Sequence, residues 1–270
     1  LDELRAVDFR LPLRWIAYAW HCKGPNRIHS PFVYDLYYHH ILDHSRQYYA
    51  FDALHKLREA LKTNSSTLAG QEPGAGSRSG KALHARKVNR VAQRALQPER
   101  EARMLFRLIT WQKPKAVLEL GTSLGLTALY LHKAAPEADF TTIEGHEGTA
   151  QFAAALFEKN QAGKIRLLNQ NFEAALHRLR TETLLYDTVV LDGDHRYEAV
   201  CQLAETIKPL LSAHSVVVVD DIRWSAGMWK AWKQLRNDPF WEVRIDLGKI
   251  GLLIRRPGQT PQHFVLRYPF

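Results

Sequence analysis

The chain has 270 residues, 46% of them hydrophobic, and a formal net charge of +9, material for one large α/β domain plus an appendage. Its two cysteines, Cys22 and Cys201, exclude a disulfide framework and suit a reducing cytoplasm. No apolar run reaches the roughly 18 residues that a membrane span needs, and no signal peptide is visible, although the start at Leu1 leaves an initiator and a short leader expected upstream.

Residues 1–62 read as helical and rich in aromatics. A helix over Leu11 to His21 carries Trp15, Tyr18 and Trp20 and is broken by Gly24-Pro25. Ser30-Pro31 starts another helix, with serine as N-cap and proline in the first turn, where its missing N–H costs nothing. A third helix is expected over Tyr48 to Lys62. These aromatics suit a cap core, a homodimer face or a membrane-surface helix, in that order. His39, His40 and His44 suggest zinc, but no cysteine or carboxylate stands at ligand spacing from them, and an exposed helix face is the better reading.

The stretch from Thr63 to Gly80, with G-A-G-S-R at 74–78, is a loop by composition, either a lid in which Arg78 closes over a ligand or a passive linker. The domain organisation that follows is a helical cap and loop over 1–80 and an α/β domain over 81–270. Much of the positive excess falls between Arg78 and Arg107, and a basic helix is expected over 83–96. A solvated helix face is favoured there over nucleic-acid binding.

From Lys115 onward strands alternate with helices, the pattern of a mostly parallel sheet covered on both sides. Strands are predicted at 116–120, 139–143, 164–168, 186–191, 215–220, 241–247 and 250–255, and helices near 125–134, 147–160, 172–181, 196–211 and 225–237. The short link at Gly248-Lys249 permits only an antiparallel hairpin, and His263 to Arg267 adds a final extended segment. The expected fold is therefore a Rossmann-like, doubly wound, seven-stranded α/β sheet with its last strand antiparallel, plus an N-terminal helical extension. Trp229 and Trp232, with Met228, fit core better than a substrate wall.

Ligands of such a sheet bind beyond the carboxyl ends of the strands. The first predicted strand ends in E-L-G-T-S-L-G, with Glu119 followed by Gly121, Thr122, Ser123 and Gly125. The second ends at Glu144, and the third is followed by Asn171 and Phe172. The E-x-G-x-x-x-G spacing differs from the dinucleotide G-x-G-x-x-G and points to S-adenosylmethionine. After the fourth strand comes L-D-G-D-H-R-Y, and after the fifth V-D-D-I-R-W. Asp192, Asp194, His195, Asp220 and Asp221 thus fall at neighbouring strand ends.

On these motifs, residues 115–256 resemble the class I S-adenosylmethionine-dependent methyltransferases, in particular the metal-dependent O-methyltransferase branch. H-S-P-F (29–32) and G-A-G-S-R (74–78) look like uncharacterised bacterial members of that branch. The resemblance implies that Gly121 and Gly125, with Thr122 and Ser123, turn around the methionine portion of the cofactor, and that Glu119 orients this loop or binds the amino group. It implies Glu144 on the ribose and Asn171 and Phe172 near adenine, although an acidic residue is more usual at 171. It further implies Asp192, Asp220 and Asp221 as ligands of Mg²⁺, or of Mn²⁺ or Ca²⁺, with His195 as general base. Asp192 also counts among the catalytic and cofactor-contacting residues. The acceptor so implied is a small molecule with vicinal oxygens, such as a catechol or sugar diol.

Two other classes compete. One is a metal-independent methyltransferase of RNA or protein, although no N/D-P-P-Y or cysteine signature is present. The other is a non-catalytic cofactor-binding interaction module, which would have no need of crowded strand-end acids.

Overall fold

The computed structural model describes residues 11–43, 45–69 and 86–268. In chain order its helices are α1 (Leu11–His21), α2 (Pro31–Asp35), α3 (Phe51–Thr63), α4 (Val88–Ala95), α5 (Glu99–Gln112), α6 (Leu126–Ala134), α7 (Glu147–Lys159), α8 (Phe172–Leu179), α9 (Tyr197–Ile207) and α10 (Ala226–Leu235). The strands are β1 (Thr67–Leu68), β2 (Arg86–Lys87), β3 (Ala116–Leu120), β4 (Asp139–Ile143), β5 (Ile165–Leu168), β6 (Tyr186–Leu191), β7 (Leu211–Val219), β8 (Val243–Asp246), β9 (Gly251–Ile254) and β10 (Gln262–Val265). They fall into two compact units. A middle unit lies within residues 38–184, and a terminal unit is built from the described parts of 1–37 and 185–270.

In the middle unit β3, β4 and β5 run parallel in that order. All five residues of β3 are buried, as a strand covered on both faces requires. The register sets Glu119 opposite Thr142 and Leu120 opposite Ile143, so the strand ends are level. The helix α5 is buried on all sides from Met104 to Ile109. Its Arg107, almost fully buried, donates to the carbonyls of His40 and Ile41 and so ends the π-helical turn over Leu36–Ile41. A separate two-residue antiparallel pair, β1 with β2, brackets the segment 70–85.

The terminal unit has the order β10-β8-β9-β7-β6. Strands β6 and β7 are parallel, whereas β9 is antiparallel to both β7 and β8. The predicted hairpin is therefore β8–β9, closed by a Leu247 N–H to Ile250 carbonyl bond of 2.9 Å. The seven predicted strands all form. An eighth, β10, adds to the edge in parallel with β8, where residues 263–267 were expected to extend. The fifth predicted strand also begins earlier, at Leu211.

The N-terminal helices are tied to this unit by their aromatic residues. The Tyr18 hydroxyl donates to the Leu266 carbonyl and accepts from the Tyr268 N–H, and Tyr37 donates to the Arg267 carbonyl. Ser30 caps α2 as predicted, accepting from the Val33 N–H. Trp232 is fully buried and therefore core. Its ring lies so close to Gly251 that a Cβ there would strike it. Among the described residues no helix is long and apolar enough to cross a membrane.

The expected boundary at residue 80, the loop residues 70–80 with Arg78, residues 83–85 of the basic helix, and His44 lie outside the described residues. The described part of that helix, α4, buries Val88 and Ala92 and exposes Arg90 and Arg94, a solvated basic face.

Gly148, in the first turn of α7, is where the chain leaving β1 passes closest to a helix, since a Cβ there would collide with the Ala69 carbonyl. We expect Gly148→Ala to lower stability by about 1–3 kcal/mol or more in thermal or urea denaturation. Gly163→Ala, whose Cβ would meet nothing within 4 Å, should be near neutral. Equal effects of the two substitutions would contradict this packing.

Candidate functional site

The loop after β3 is shaped by backbone conformations that most residues avoid. Gly121 and Gly125 have φ of 108° and 82°, and Ser123 between them has φ of 48°. Glycine adopts such angles without penalty; a serine held there is strained, as residues at ligand sites often are. At Gly125 a Cβ would also lie 2.7 Å from the Phe157 ring. Both Gly121 and Thr122 donate their N–H groups to the Ile143 carbonyl, so the loop hangs from the end of β4.

Glu144, just past β4, holds this loop from the other side. Its Oε2 accepts the Ser123 N–H at 2.9 Å and its Oε1 accepts the His146 N–H at 2.8 Å. Each carboxylate oxygen retains a further lone pair. Asn169, just past β5, donates to the carbonyl of Glu144 at 2.8 Å and so ties the ends of β4 and β5. The Asn171 side chain is the N-cap of α8, accepting the Ala174 N–H at 2.8 Å, and Phe172 is the first residue of that helix.

Glu119 differs from Glu144 in everything but its side chain. It is buried near the C-terminal end of β3, and burial, reinforced by the nearby Glu144, pushes its carboxyl from 4.5 up to about 8 against the opposing Thr142 hydrogen bond. Thr142 donates to Glu119 Oε2 at 2.6 Å, which leaves Thr122 to donate to the Thr142 hydroxyl, also at 2.6 Å. A chain from Glu119 through Thr142 to Thr122 thus orients the loop. Glu119 Oε1 is buried without a hydrogen-bond partner among the described residues.

The second constellation lies wholly in the terminal unit. Asp192 and His195 follow β6, and Asp220 and Asp221 follow β7. The Asp220 N–H bonds the Leu191 carbonyl, which holds the two strand ends level. Asp221 has φ of 53°, the counterpart of strained Ser123. His195 Nε2 lies 3.6 Å from Asp221 Oδ2 and 3.9 Å from Asp192 Oδ1. Asp194 stands apart, held by the Arg196 backbone N–H and guanidinium, with its carboxyl below the usual range because of those bonds. Asp221 is pushed the other way, by burial and by the adjacent Asp220, although Lys249 and His195 draw it back.

Lys249 is the residue that sequence reasoning missed. Its ammonium lies 3.5 Å from Asp221 Oδ1 and 3.6 Å from Asp220 Oδ2. Gly248-Lys249 reads in the sequence only as a hairpin link, and nothing local signals that the link faces a strand end. Among the described residues no group of three or more His, Cys, Asp or Glu side chains is arranged to hold a metal ion. Asp220 and Asp221 share the one ammonium of Lys249.

A carboxyl raised to about 8 by burial is neutral in the folded chain and ionised in the unfolded one between roughly pH 4.5 and 8. Its contribution to stability is therefore fully present below that window and is lost as pH rises through it. We expect Glu119→Gln, which cannot ionise, to gain roughly 2–5 kcal/mol relative to the parent between pH 4.5 and 8.5. Urea denaturation of both proteins at the two pH values measures it, and a difference independent of pH would show that Glu119 is ionised in the fold.

Residues 118–222, which span β3 to the end of β7, match the family model described as a methyltransferase domain. No curated protein matches the chain. Among solved structures, an O-methyltransferase of Bacillus cereus in complex with S-adenosylhomocysteine superposes with a TM-score of 0.55 at 13% identity, over 79% of this chain and 94% of that one. A Podospora anserina methyltransferase bound to S-adenosylhomocysteine gives 0.52 at 17% identity, over 78% and 98%. The O-methyltransferase TomG of Streptomyces achromogenes, involved in tomaymycin synthesis and complexed with S-adenosylmethionine, gives 0.52 at 18%, over 60% and 82%. Identities this low speak for the fold. The loop after β3, the carboxylate after β4, the strand order and these superpositions agree on the fold: the chain has the Rossmann-like α/β fold of these solved methyltransferases, and its residues 118–222 are similar to a methyltransferase domain.

Proposed function

We propose that the protein transfers the methyl group of S-adenosylmethionine to a hydroxyl oxygen of a small molecule. The observation that carries this is Glu144, anchored by two backbone N–H bonds beside a loop bent at Gly121, Ser123 and Gly125. The remaining lone pairs of that carboxylate suit the two hydroxyls of a ribose. Gly125 admits no side chain, because its φ is positive and a Cβ would strike Phe157 and Ala153, so the loop is packed tightly against α7. Thr122 and Thr142, chained to the buried Glu119, hold the loop in place for the methionine portion. Asn171 and Phe172, at the start of α8, are assigned to the adenine.

The cofactor supplies a methyl group on a sulfonium, so the chemistry asks for position and for a deprotonated nucleophile. The acceptor oxygen attacks in line, the O–CH3 bond forms as the C–S bond breaks, and the electron pair stays on sulfur. His195 Nε2, exposed enough to meet a ligand, takes the hydroxyl proton. An acceptor with vicinal oxygens presents one to His195 and the other to the Lys249 ammonium, which stabilises developing negative charge. Because no group of three or more His, Cys, Asp or Glu side chains among the described residues is placed to hold a divalent ion, this reading assigns the proton and the charge to these two side chains. Similarity to enzymes described as O-methyltransferases supports oxygen as the acceptor atom. A cytoplasmic setting fits two free cysteines.

Calorimetry should show S-adenosylhomocysteine binding with micromolar affinity, on the order of −8 kcal/mol. Glu144→Ala should weaken it by about 1.5–3 kcal/mol, through lost bonds to a charged group and a loosened Ser123 turn. His195→Ala should leave that binding nearly intact and lower turnover by roughly 10²–10⁴. Preference for a nicotinamide dinucleotide, or cofactor binding untouched by Glu144→Ala, would contradict the proposal.

A further inference from the structure

We infer that Lys249 is the resident cation of the Asp220–Asp221 pair, occupying the place where a metal-dependent methyltransferase would carry a divalent ion, so that this chain needs none. The inference rests on the reading of the domain as a methyltransferase.

Two acids at one strand end repel each other, and Asp220 is almost fully buried, with only 5% of its side chain exposed. Charges so placed demand a cation nearby. The candidates are a bound metal or a side chain of the protein, and Lys249 reaches both carboxylates at once, at 3.5 and 3.6 Å. Its side chain is 21% exposed, so most of its stem is covered. A divalent ion bound to the same two oxygens would stand within a few ångströms of the ammonium and be repelled by it.

The position is built into the backbone. The Lys249 carbonyl accepts the N–H of Ile222, the residue after Asp221, at 2.9 Å. On its other side, Gly248, with φ of 90°, donates to Asp246 Oδ1 at 2.9 Å and accepts from Arg223 Nη1 at 2.6 Å. The link is thus fastened on both sides of Lys249 to the loop that carries the two acids. A surface lysine drifting onto an acidic patch would show no such anchoring. His195, beside Asp221 and Asp192, supplies the remaining positive partner when protonated.

The test is direct binding of Mn²⁺, followed by electron paramagnetic resonance, with the whole chain and no substrate. The parent protein should show no Mn²⁺ site that depends on Asp221. Lys249→Met should create one, with affinity raised about tenfold or more, because the competing cation is gone. Asp221→Asn on that background should abolish it, and Lys249→Arg, which keeps the charge, should not create it. An Asp221-dependent Mn²⁺ site in the parent protein would overturn the inference, as would a folded Lys249→Met protein that gains none. If Lys249→Met fails to fold, Lys249→Gln replaces it, and the comparison of the parent with Asp221→Asn still decides. S-adenosylhomocysteine calorimetry on the same samples separates failure of this inference from failure of the methyltransferase reading, because cofactor binding does not involve the acid pair.

Discussion

The arrangement of the terminal unit depends on one buried ion pair. Arg223 and Asp246 are almost wholly shielded from water, and the guanidinium grips the carboxylate through two nitrogens at 2.7 and 2.8 Å. Arg223 lies three residues past Asp220, in the loop after β7, and Asp246 is the last residue of β8. The pair therefore clamps the acid-bearing loop to the hairpin that carries Lys249. Removing one partner of such a pair costs about 3–5 kcal/mol, since the other charge is left buried and alone. Both partners are further satisfied: Asp246 also accepts from the Gly248 N–H and from Trp232 Nε1, and the guanidinium lies over the rings of Trp229 and Tyr18. The N-terminal helix α1 is joined to the same centre through Tyr18, so the extension is part of the support of this loop.

The middle unit solves a similar problem with opposite means. Glu144 is held at the edge of the sheet by two backbone N–H groups, whereas Glu119, inside the sheet, meets one hydroxyl and burial pushes its carboxyl up to about 8. One carboxylate holds the loop through the Ser123 N–H, and the other shapes it through Thr142 and Thr122. In both units the residue at the turn after the strand, Ser123 or Asp221, is a non-glycine residue at positive φ. Each is held there by its neighbours: Ser123 by Glu144, and Asp221 by the Ile222-to-Lys249 bond that follows it.

Much of this was legible because it is local. The buried valine run of β7, the two glycines after β3, the carboxylate at the end of β4 and the short link at Gly248-Lys249 each encode their conformation within a few residues. The eighth strand was harder, since Gln262–Val265 gains strand character by pairing with β8 and has no alternating pattern of its own. Asp192 and Asp194 look alike in D-G-D-H, and only the folding back of Arg196 separates them. Asn171 reads as a ligand contact by position, and its observed bond is a helix cap. Lys249 was invisible because its partners lie 28 and 29 residues away along the chain, brought to it by an antiparallel strand pairing. Long-range charge pairing has no signature in composition or periodicity.

The central claim is that a methyl group passes from sulfur to oxygen on this chain. It is tested most directly by incubating the protein with S-adenosylmethionine carrying a trideuterated methyl group and a mixed metabolite extract, then following the label by mass spectrometry. The account predicts a labelled methyl ether on a small molecule, formed one for one with S-adenosylhomocysteine, and its loss with His195→Ala. Label recovered in RNA or protein, or on nitrogen or carbon of a small molecule, would contradict it.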